Sequence, residues 1–219
     1  MPRLLFTKTG DAVWMSHLDL MRLFQRAFKR ASLPLTHTQG YNPRPSVSIA
    51  LPLSVAVESV CELLDFDLDG ETVACEEITA RLNAALVPGV RVLQTYENGR
   101  KIKDLALLDS VLTLEYDQGV PADAEASLQA LFARDSLTVE KKGKNGPTQQ
   151  DIIPMIHQLQ VQRRDDNTLQ IHSRVCCQNP SLNPTQLVAA IAAYLPELAP
   201  DFAKCCRCEI YDGNHKVFR

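Results

Sequence analysis

Three side chains able to hold or move a proton lie within four residues of one another near the start of the sequence. They are Ser16, His17 and Asp19, and a second imidazole follows at His37. A histidine that acts as acid or base beside a phosphate can cleave RNA, so His17 and His37 are candidate catalytic residues. Ser16 and Asp19 also have the spacing of a helix cap. The cluster therefore predicts a helix start with a candidate binding or acid–base group beside it.

A cationic stripe continues along the same predicted helix. Arg22, Arg26 and Arg30 recur every four residues, opposite an apolar arc at helical spacing. Guanidinium groups match phosphate oxygens with paired donors, so the stripe predicts phosphate contacts. The alternative is an ordinary solvated helix face with an ion pair between Asp19 and Arg22.

The turn at residues 39–45 is the third segment whose polar side chains could bind a ligand. It offers amides, an aromatic ring and a guanidinium in a segment that contains two closely spaced prolines, through Gln39, Tyr41, Asn42 and Arg44. Residues before proline are held extended, so these side chains lose little freedom on binding. The turn therefore predicts contacts to a base and a phosphate. We expect the helix start and the turn to lie side by side as one composite site.

The elements around these motifs alternate in a recognisable order. Residues 3–96 predict strand, helix, strand, strand, helix and strand, and residues 111–211 predict the same order again, with 137–142 as the second strand and 151–162 unassigned. This order is the ferredoxin-like unit. The sequence thus predicts an α+β fold of two tandem ferredoxin-like (βαββαβ) halves with antiparallel sheets. The N-terminal domain, residues 1–104, carries both motifs, and residues 105–219 form the C-terminal domain.

Composition limits the class of protein. Apolar residues make up 45% and no run is long enough to cross a bilayer, so we expect a cytoplasmic protein with no membrane partner. Net charge is −3, but residues 1–50 hold seven cations against two acids, which favours a local anion-binding face. The seven cysteines lack zinc or iron–sulfur spacing. We read Cys176, Cys177, Cys205, Cys206 and Cys208 as packed thiols, and predict neither a metal nor a cofactor.

Three long motifs carry a resemblance to a known family. They are Ser-His-Leu-Asp-Leu-Met-Arg from Ser16, Gln-Gly-Tyr-Asn-Pro-Arg-Pro from Gln39 and Ala-Leu-Pro-Leu from Ala50. Together they resemble the radical-SAM-linked uncharacterised family (DUF2344-like), whose members also occur as C-terminal extensions of cobalamin-binding radical SAM proteins. The resemblance implies a radical SAM protein, on a separate chain, as the partner. It brings no settled activity with it.

These observations lead to one prediction and two alternatives. The prediction is a non-catalytic accessory or substrate-recognition protein for a radical SAM enzyme, which binds RNA (tRNA or rRNA) through the basic helix and the turn. One alternative is a metal-independent RNA-processing nuclease with His17 or His37 as acid or base. The other is a protein–protein adaptor that docks on the radical SAM protein and never touches RNA.

Overall fold

The computed structural model describes residues 1–70, 72–143 and 146–219. The chain divides into two compact units. The first comprises Met1–Ile102 together with Arg219, and the second comprises Lys103–Phe218.

The first unit contains four strands and two α-helices among its described residues. In chain order they are β1 (Arg3–Lys8), α1 (His17–Arg30), β2 (Val47–Ile49), β3 (Val57–Phe66), α2 (Cys75–Ala85) and β4 (Val90–Tyr96). The strands lie in the order β4-β1-β3-β2, and every neighbouring pair is antiparallel. A short 3-10 turn, Gly10–Trp14, links β1 to α1.

Both helices of this unit pack on one apolar core. Leu20, Phe24, Ala27 and Phe28 form the buried stripe of α1, as their helical spacing predicts. The rings of Phe6 and Phe24 meet edge to face at 4.7 Å between centroids. Because α2 contributes Ile78 and Leu82 to the same cluster, the two helices cover the same face of the sheet.

The second unit repeats this arrangement with an added hairpin. Its elements are β5 (Leu105–Glu115), α3 (Ala124–Phe132), β6 (Thr138–Gly143), β7 (Gly146–Asp151), β8 (Ile156–Arg163), β9 (Thr168–Cys176), α4 (Thr185–Tyr194) and β10 (Phe202–Asp212). Four of these strands form a sheet in the order β10-β5-β9-β8, with the pairs of β5 with β10 and β9, and of β8 with β9, antiparallel.

The strand predicted at residues 137–142 does not belong to that sheet. It is β6, which pairs with β7 in a separate two-stranded hairpin. The hairpin lies against α4, where the Tyr194 hydroxyl donates to the Thr138 carbonyl at 2.8 Å. The place expected for it is taken by β8, in the segment left unassigned from the sequence. The general prediction of helices with antiparallel strands is confirmed.

In each unit a helix side chain is hydrogen-bonded to the backbone of an edge strand. In the first unit the Asn83 amide donates to the Val92 carbonyl and accepts from the Val92 N–H, both at 2.9 Å. In the second unit Gln129 of α3 accepts from the N–H of Val161 at 3.3 Å. These side chains satisfy backbone groups that an edge strand otherwise offers to another chain.

Each unit also carries an ion pair between its first and third sheet strands. In the first unit the Arg3 guanidinium binds the Asp65 carboxylate through two contacts, at 2.5 and 3.1 Å. In the second unit Arg174 binds Asp109 at 2.7 and 2.8 Å. The cation lies on the first strand in one unit and on the third strand in the other.

No helix within the described part of the chain is long and apolar enough to cross a membrane.

Candidate functional site

The start of α1 is a capped helix terminus. The Ser16 Oγ accepts from the Asp19 N–H at 3.2 Å and donates to the Asp19 carboxylate at 2.7 Å. Arg22 contacts the other carboxylate oxygen at 3.2 Å. The hydrogen bond from Ser16, together with the charge of Arg22, lowers the pKa of Asp19. Ser16, Asp19 and Arg22 are therefore bound to one another, and each retains an exposed or half-exposed surface.

The two candidate catalytic histidines lie in different surroundings. His17 is half-buried, and its Nδ1 is shielded from solvent without a hydrogen bond to any described residue. His37 is exposed, and its backbone bridges to Pro45. The residues that the structure describes provide neither imidazole with a hydrogen-bonded acid or base.

The arginine stripe is exposed along its whole length. Arg22 is paired with Asp19, and Arg30 donates to the Ala85 carbonyl at the end of α2. The side chains of Arg26 and its neighbour Lys29 make no hydrogen bond or ion pair within the described part of the protein. These two cations are free to bind an anion.

The turn at residues 39–45 forms the tip of a loop with a hydrogen-bonded stem, which we call the Gln39–Pro45 loop. The Thr38 N–H donates to the Arg44 carbonyl at 2.8 Å, and the Ser46 N–H donates to the Thr36 carbonyl at 2.8 Å. The Thr38 hydroxyl accepts from the Arg44 N–H at 3.0 Å. The stem is thus fixed while the tip faces solvent.

All four predicted binding residues of the tip are exposed: Gln39, Tyr41, Asn42 and Arg44. Tyr41 is 102% exposed, so its ring packs on nothing. Burying such a ring in the fold would stabilise the protein by roughly 1.5–3 kcal/mol, and this stabilisation is absent. The tyrosine is therefore not a structural clamp.

The helix start and the loop are not one composite site. The loop leaves α1 at its C-terminal end, and its stem residues His37 and Pro45 share a cavity wall with Gln25 and Lys29 of the second half of the helix. A helix of 14 residues is about 21 Å long. The expectation that both motifs lie side by side is wrong, because a loop that follows a helix returns along the sheet from the far end.

A second surface lies at the N-terminal end of α1. Three large apolar side chains are exposed there: Trp14 by 66%, Leu18 by 64% and Val55 by 48%. The neighbouring backbones are joined by a hydrogen bond from the Ala56 N–H to the Val13 carbonyl at 2.9 Å. We call these three residues the apolar patch. Val55 is far from Trp14 and Leu18 in sequence, so the sequence pattern did not group the three residues.

A cavity of about 510 Å³ opens beneath the Gln39–Pro45 loop. Its lining is mainly apolar, with an amide, an ammonium and an imidazole at intervals: Gln25, Phe28, Lys29, Ser32, Leu33, Pro34, Leu35, His37 and Pro45. Sequence reasoning missed this cavity because its walls come from the end of a helix and from both sides of a loop.

All seven cysteines are free thiols. Cys176 lies 3.4 Å from His157 Nε2, but burial raises the pKa of its thiol. Burial also raises the pKa of Cys177 and of Cys205 to about 12. Within residues 1–70, 72–143 and 146–219, no three histidine, cysteine or acidic side chains are grouped to hold a metal.

Comparison with known proteins adds a family and a fold. The model of DUF2344, described as an uncharacterised protein conserved in bacteria, matches residues 2–184. No curated protein matches the chain.

Three solved structures are similar over nearly the whole chain. A chain of a Cbf5-Nop10-Gar1 complex is 9% identical with a TM-score of 0.52, over 98% of this chain and 50% of that one. A chain of the archaeal box H/ACA sRNP Nop10-Cbf5 complex is 10% identical with a TM-score of 0.47, over 98% and 49%. An unknown protein from Galdieria sulphuraria is 12% identical with a TM-score of 0.28, over 96% of both chains. This chain spans about half the length of the first two, and at such identity the likeness to the first shows the fold alone.

Proposed function

The chain belongs to the DUF2344 family of uncharacterised proteins conserved in bacteria, and we propose that it is a non-catalytic RNA-recognition protein for a radical SAM enzyme. RNA, of the tRNA or rRNA class, binds the C-terminal half of α1 and the Gln39–Pro45 loop. The radical SAM protein is a separate chain. The fully exposed ring of Tyr41, on a stem fixed by hydrogen bonds, is the observation that carries this proposal.

An unpacked tyrosine on a fixed stem suits base stacking. Stacking one base on an aromatic side chain contributes about 1–3 kcal/mol and tolerates any base. The fixed stem means that little ordering entropy is lost when RNA binds. Asn42 beside the ring carries the donor and acceptor that pair with a base edge.

Three cations without an ion-pair partner in the described part of the chain lie in the C-terminal half of α1 and in the loop. Lys29 follows Arg26 along α1 and lines the cavity beneath the loop, while Arg44 lies in the loop itself. None of these three side chains pairs with an acid among the described residues. They can neutralise phosphates without first breaking an ion pair, which favours salt-dependent RNA binding.

The apolar patch supports the partner in this proposal. Exposed apolar groups of this size at one end of a domain are typical of protein–protein contacts. Because the patch and the loop lie at opposite ends of α1, the radical SAM protein and RNA can bind together. The same patch favours a second candidate function, an adaptor that binds only the enzyme. No comparable observation favours the nuclease with His17 or His37.

The proposal includes the architecture and the location. The strand orders β4-β1-β3-β2 and β10-β5-β9-β8, each with two helices between the strands, support two ferredoxin-like domains. We propose their bounds as residues 1–104 and 105–219, with the β6–β7 hairpin as an insertion, in a cytoplasmic protein.

RNA binding is tested with fluorescein-labelled tRNA by anisotropy at several salt concentrations. Tyr41→Ala should weaken binding by about 5- to 150-fold and leave the salt slope unchanged, since it removes a stack and no charge. Arg26→Ala should lower the salt slope by about one phosphate contact. Phe202→Ala and Arg91→Ala, at exposed positions outside the loop, are the matched controls.

The partner is tested by co-purification from native cells. Leu18→Glu should lose the radical SAM protein and keep RNA binding, while Tyr41→Ala should do the reverse. Suppose that neither the wild type nor any variant shows salt-dependent RNA binding, but that Leu18→Glu still loses the radical SAM protein. The chain is then an adaptor and not an RNA-recognition protein.

A further inference from the structure

The walls of the cavity beneath the Gln39–Pro45 loop are apolar and partly flat. Phe28, Leu33 and Leu35 are almost completely buried and form its floor. Pro34 and Pro45 also line the cavity. Bases turned out of a stack are held between apolar and aromatic side chains in this way.

The polar groups of the cavity discriminate among ligands. Gln25 offers an amide that both donates and accepts, and His37 offers an imidazole. A purely aliphatic ligand would leave these groups unpaired on binding, at a cost in affinity. Lys29 at the rim is the charged group of the lining, and no acidic side chain is found among the described residues that line it. The site therefore suits a flat, polar-edged ring attached to an anion.

The backbone at the rim is held in an uncommon conformation. Ser32 has a φ of +54° directly after α1, at the position where glycine is usual. A non-glycine residue in this region is strained, and such strain is concentrated at ligand sites. Ser32 is exposed and lines the cavity.

From these three observations we infer that the cavity holds one unpaired nucleobase of a single-stranded stretch of RNA. This inference rests on the proposed function and names what the site recognises. The base enters between Pro34 and Pro45, Gln25 contacts its edge, and the adjoining phosphate lies at Lys29. Tyr41 stacks on a different base of the same strand, so the protein holds two bases on either side of the loop.

The experiment compares three RNA 12-mers, of A, C or U, with an abasic ribose-phosphate 12-mer of equal charge. The protein carries 13C-labelled leucine methyl groups for NMR. The base-bearing strands should shift the methyl signals of Leu33 and Leu35, and the abasic strand should not.

A cavity-filling variant provides the second readout. Gln25→Trp places a ring in the cavity and should weaken binding of the tightest base-bearing strand about tenfold. Its affinity for the abasic strand and its salt slope should equal those of the wild type. Gln118→Trp, at an exposed position in the turn after β5, is the matched control and should change neither affinity.

The outcomes separate the two proposals. If base-bearing strands bind and Tyr41→Ala weakens them, but the Leu33 and Leu35 methyl signals do not move, this inference is overturned and the proposed function stands. If a folded Gln25→Trp variant binds the tightest base-bearing strand as well as the wild type does, this inference is likewise overturned and the proposed function stands. If neither kind of strand binds with a dependence on salt, both the proposed function and this inference fail.

Discussion

Replacing Ser32 by glycine should stabilise the protein. The residue follows α1, and the Leu33 N–H closes the helix end by donating to the Phe28 carbonyl at 3.0 Å. This motif needs a left-handed residue, and Ser32 supplies it with a φ of +54°. The left-handed conformation costs a residue with a Cβ about 1–2 kcal/mol.

The expected gain is smaller than this strain. Glycine removes the strain but adds freedom to the unfolded chain, which costs about 0.5–1 kcal/mol. The midpoints of the two ranges, about 1.5 and about 0.75 kcal/mol, leave a net stabilisation of about 0.75 kcal/mol. For a chain of this size it corresponds to an increase of about 1–4 °C in the unfolding temperature.

Differential scanning calorimetry of the full chain measures the change. Ala31→Gly is the matched control, because Ala31 has an ordinary φ of −75° and gains nothing from glycine. It should lower the unfolding temperature by a similar amount. If Ser32→Gly also lowers it, the serine side chain makes a contact that outweighs the strain, and the reasoning is refuted.

Two further predictions concern an edge strand and a carboxylate. Asn83→Leu should lower the free energy of unfolding by about 1–3 kcal/mol, since it removes two hydrogen bonds to Val92, and urea unfolding measures this. It should also promote self-association in analytical ultracentrifugation, and an unchanged sedimentation profile would contradict a role in protecting the edge. Asp151 accepts hydrogen bonds from the N–H groups of Leu137 and Ile153, which lower its pKa. The stability from this lowered pKa is present above the unfolded value of about 3.9 and is lost as pH falls through the folded pKa. Lowering the pH from about 5 to about 2.5 should therefore reduce the unfolding temperature of Asp151→Asn less than that of the wild type. Parallel curves of unfolding temperature against pH would contradict this.

Local patterns were sufficient for the elements of the first unit. Ser16 caps α1 as its spacing predicts, and the buried stripe through Phe24 and Phe28 follows from helical periodicity alone. Both depend on neighbours within one or two turns. Such short-range rules do not require knowledge of the fold.

Sheet membership in the second unit could not be read in the same way. Residues 137–140 alternate buried with more exposed side chains, and the segment does form a strand, but its partner is β7. The sheet strand β8 alternates Leu159 and Val161 with three glutamines, which is a half-buried strand pattern, but this pattern does not identify the neighbouring strand. Which strand joins which sheet depends on distant pairing, and a single sequence does not encode it locally.

The candidate site was foreseen in part. The exposure of Tyr41 is consistent with a stiff polar turn, whereas the cavity beneath it depends on Gln25, Leu33 and Pro45, which meet only in the folded unit. The separation of the helix start from the loop follows from the order of elements. This separation could have been deduced from the sequence, because the two ends of a helix are as far apart as the helix is long.

The reversed ion pairs of the two units bear on how the chain avoids misassembly. Tandem domains of similar architecture are prone to exchange corresponding strands during folding. If β1 took the place of β5, Arg3 would face Arg174, and if β5 took the place of β1, Asp109 would face Asp65. Each exchange would place like charges opposite one another in a partly buried position, which is unfavourable. The reversed order of charges therefore disfavours exchange of β1 and β5 between the two units.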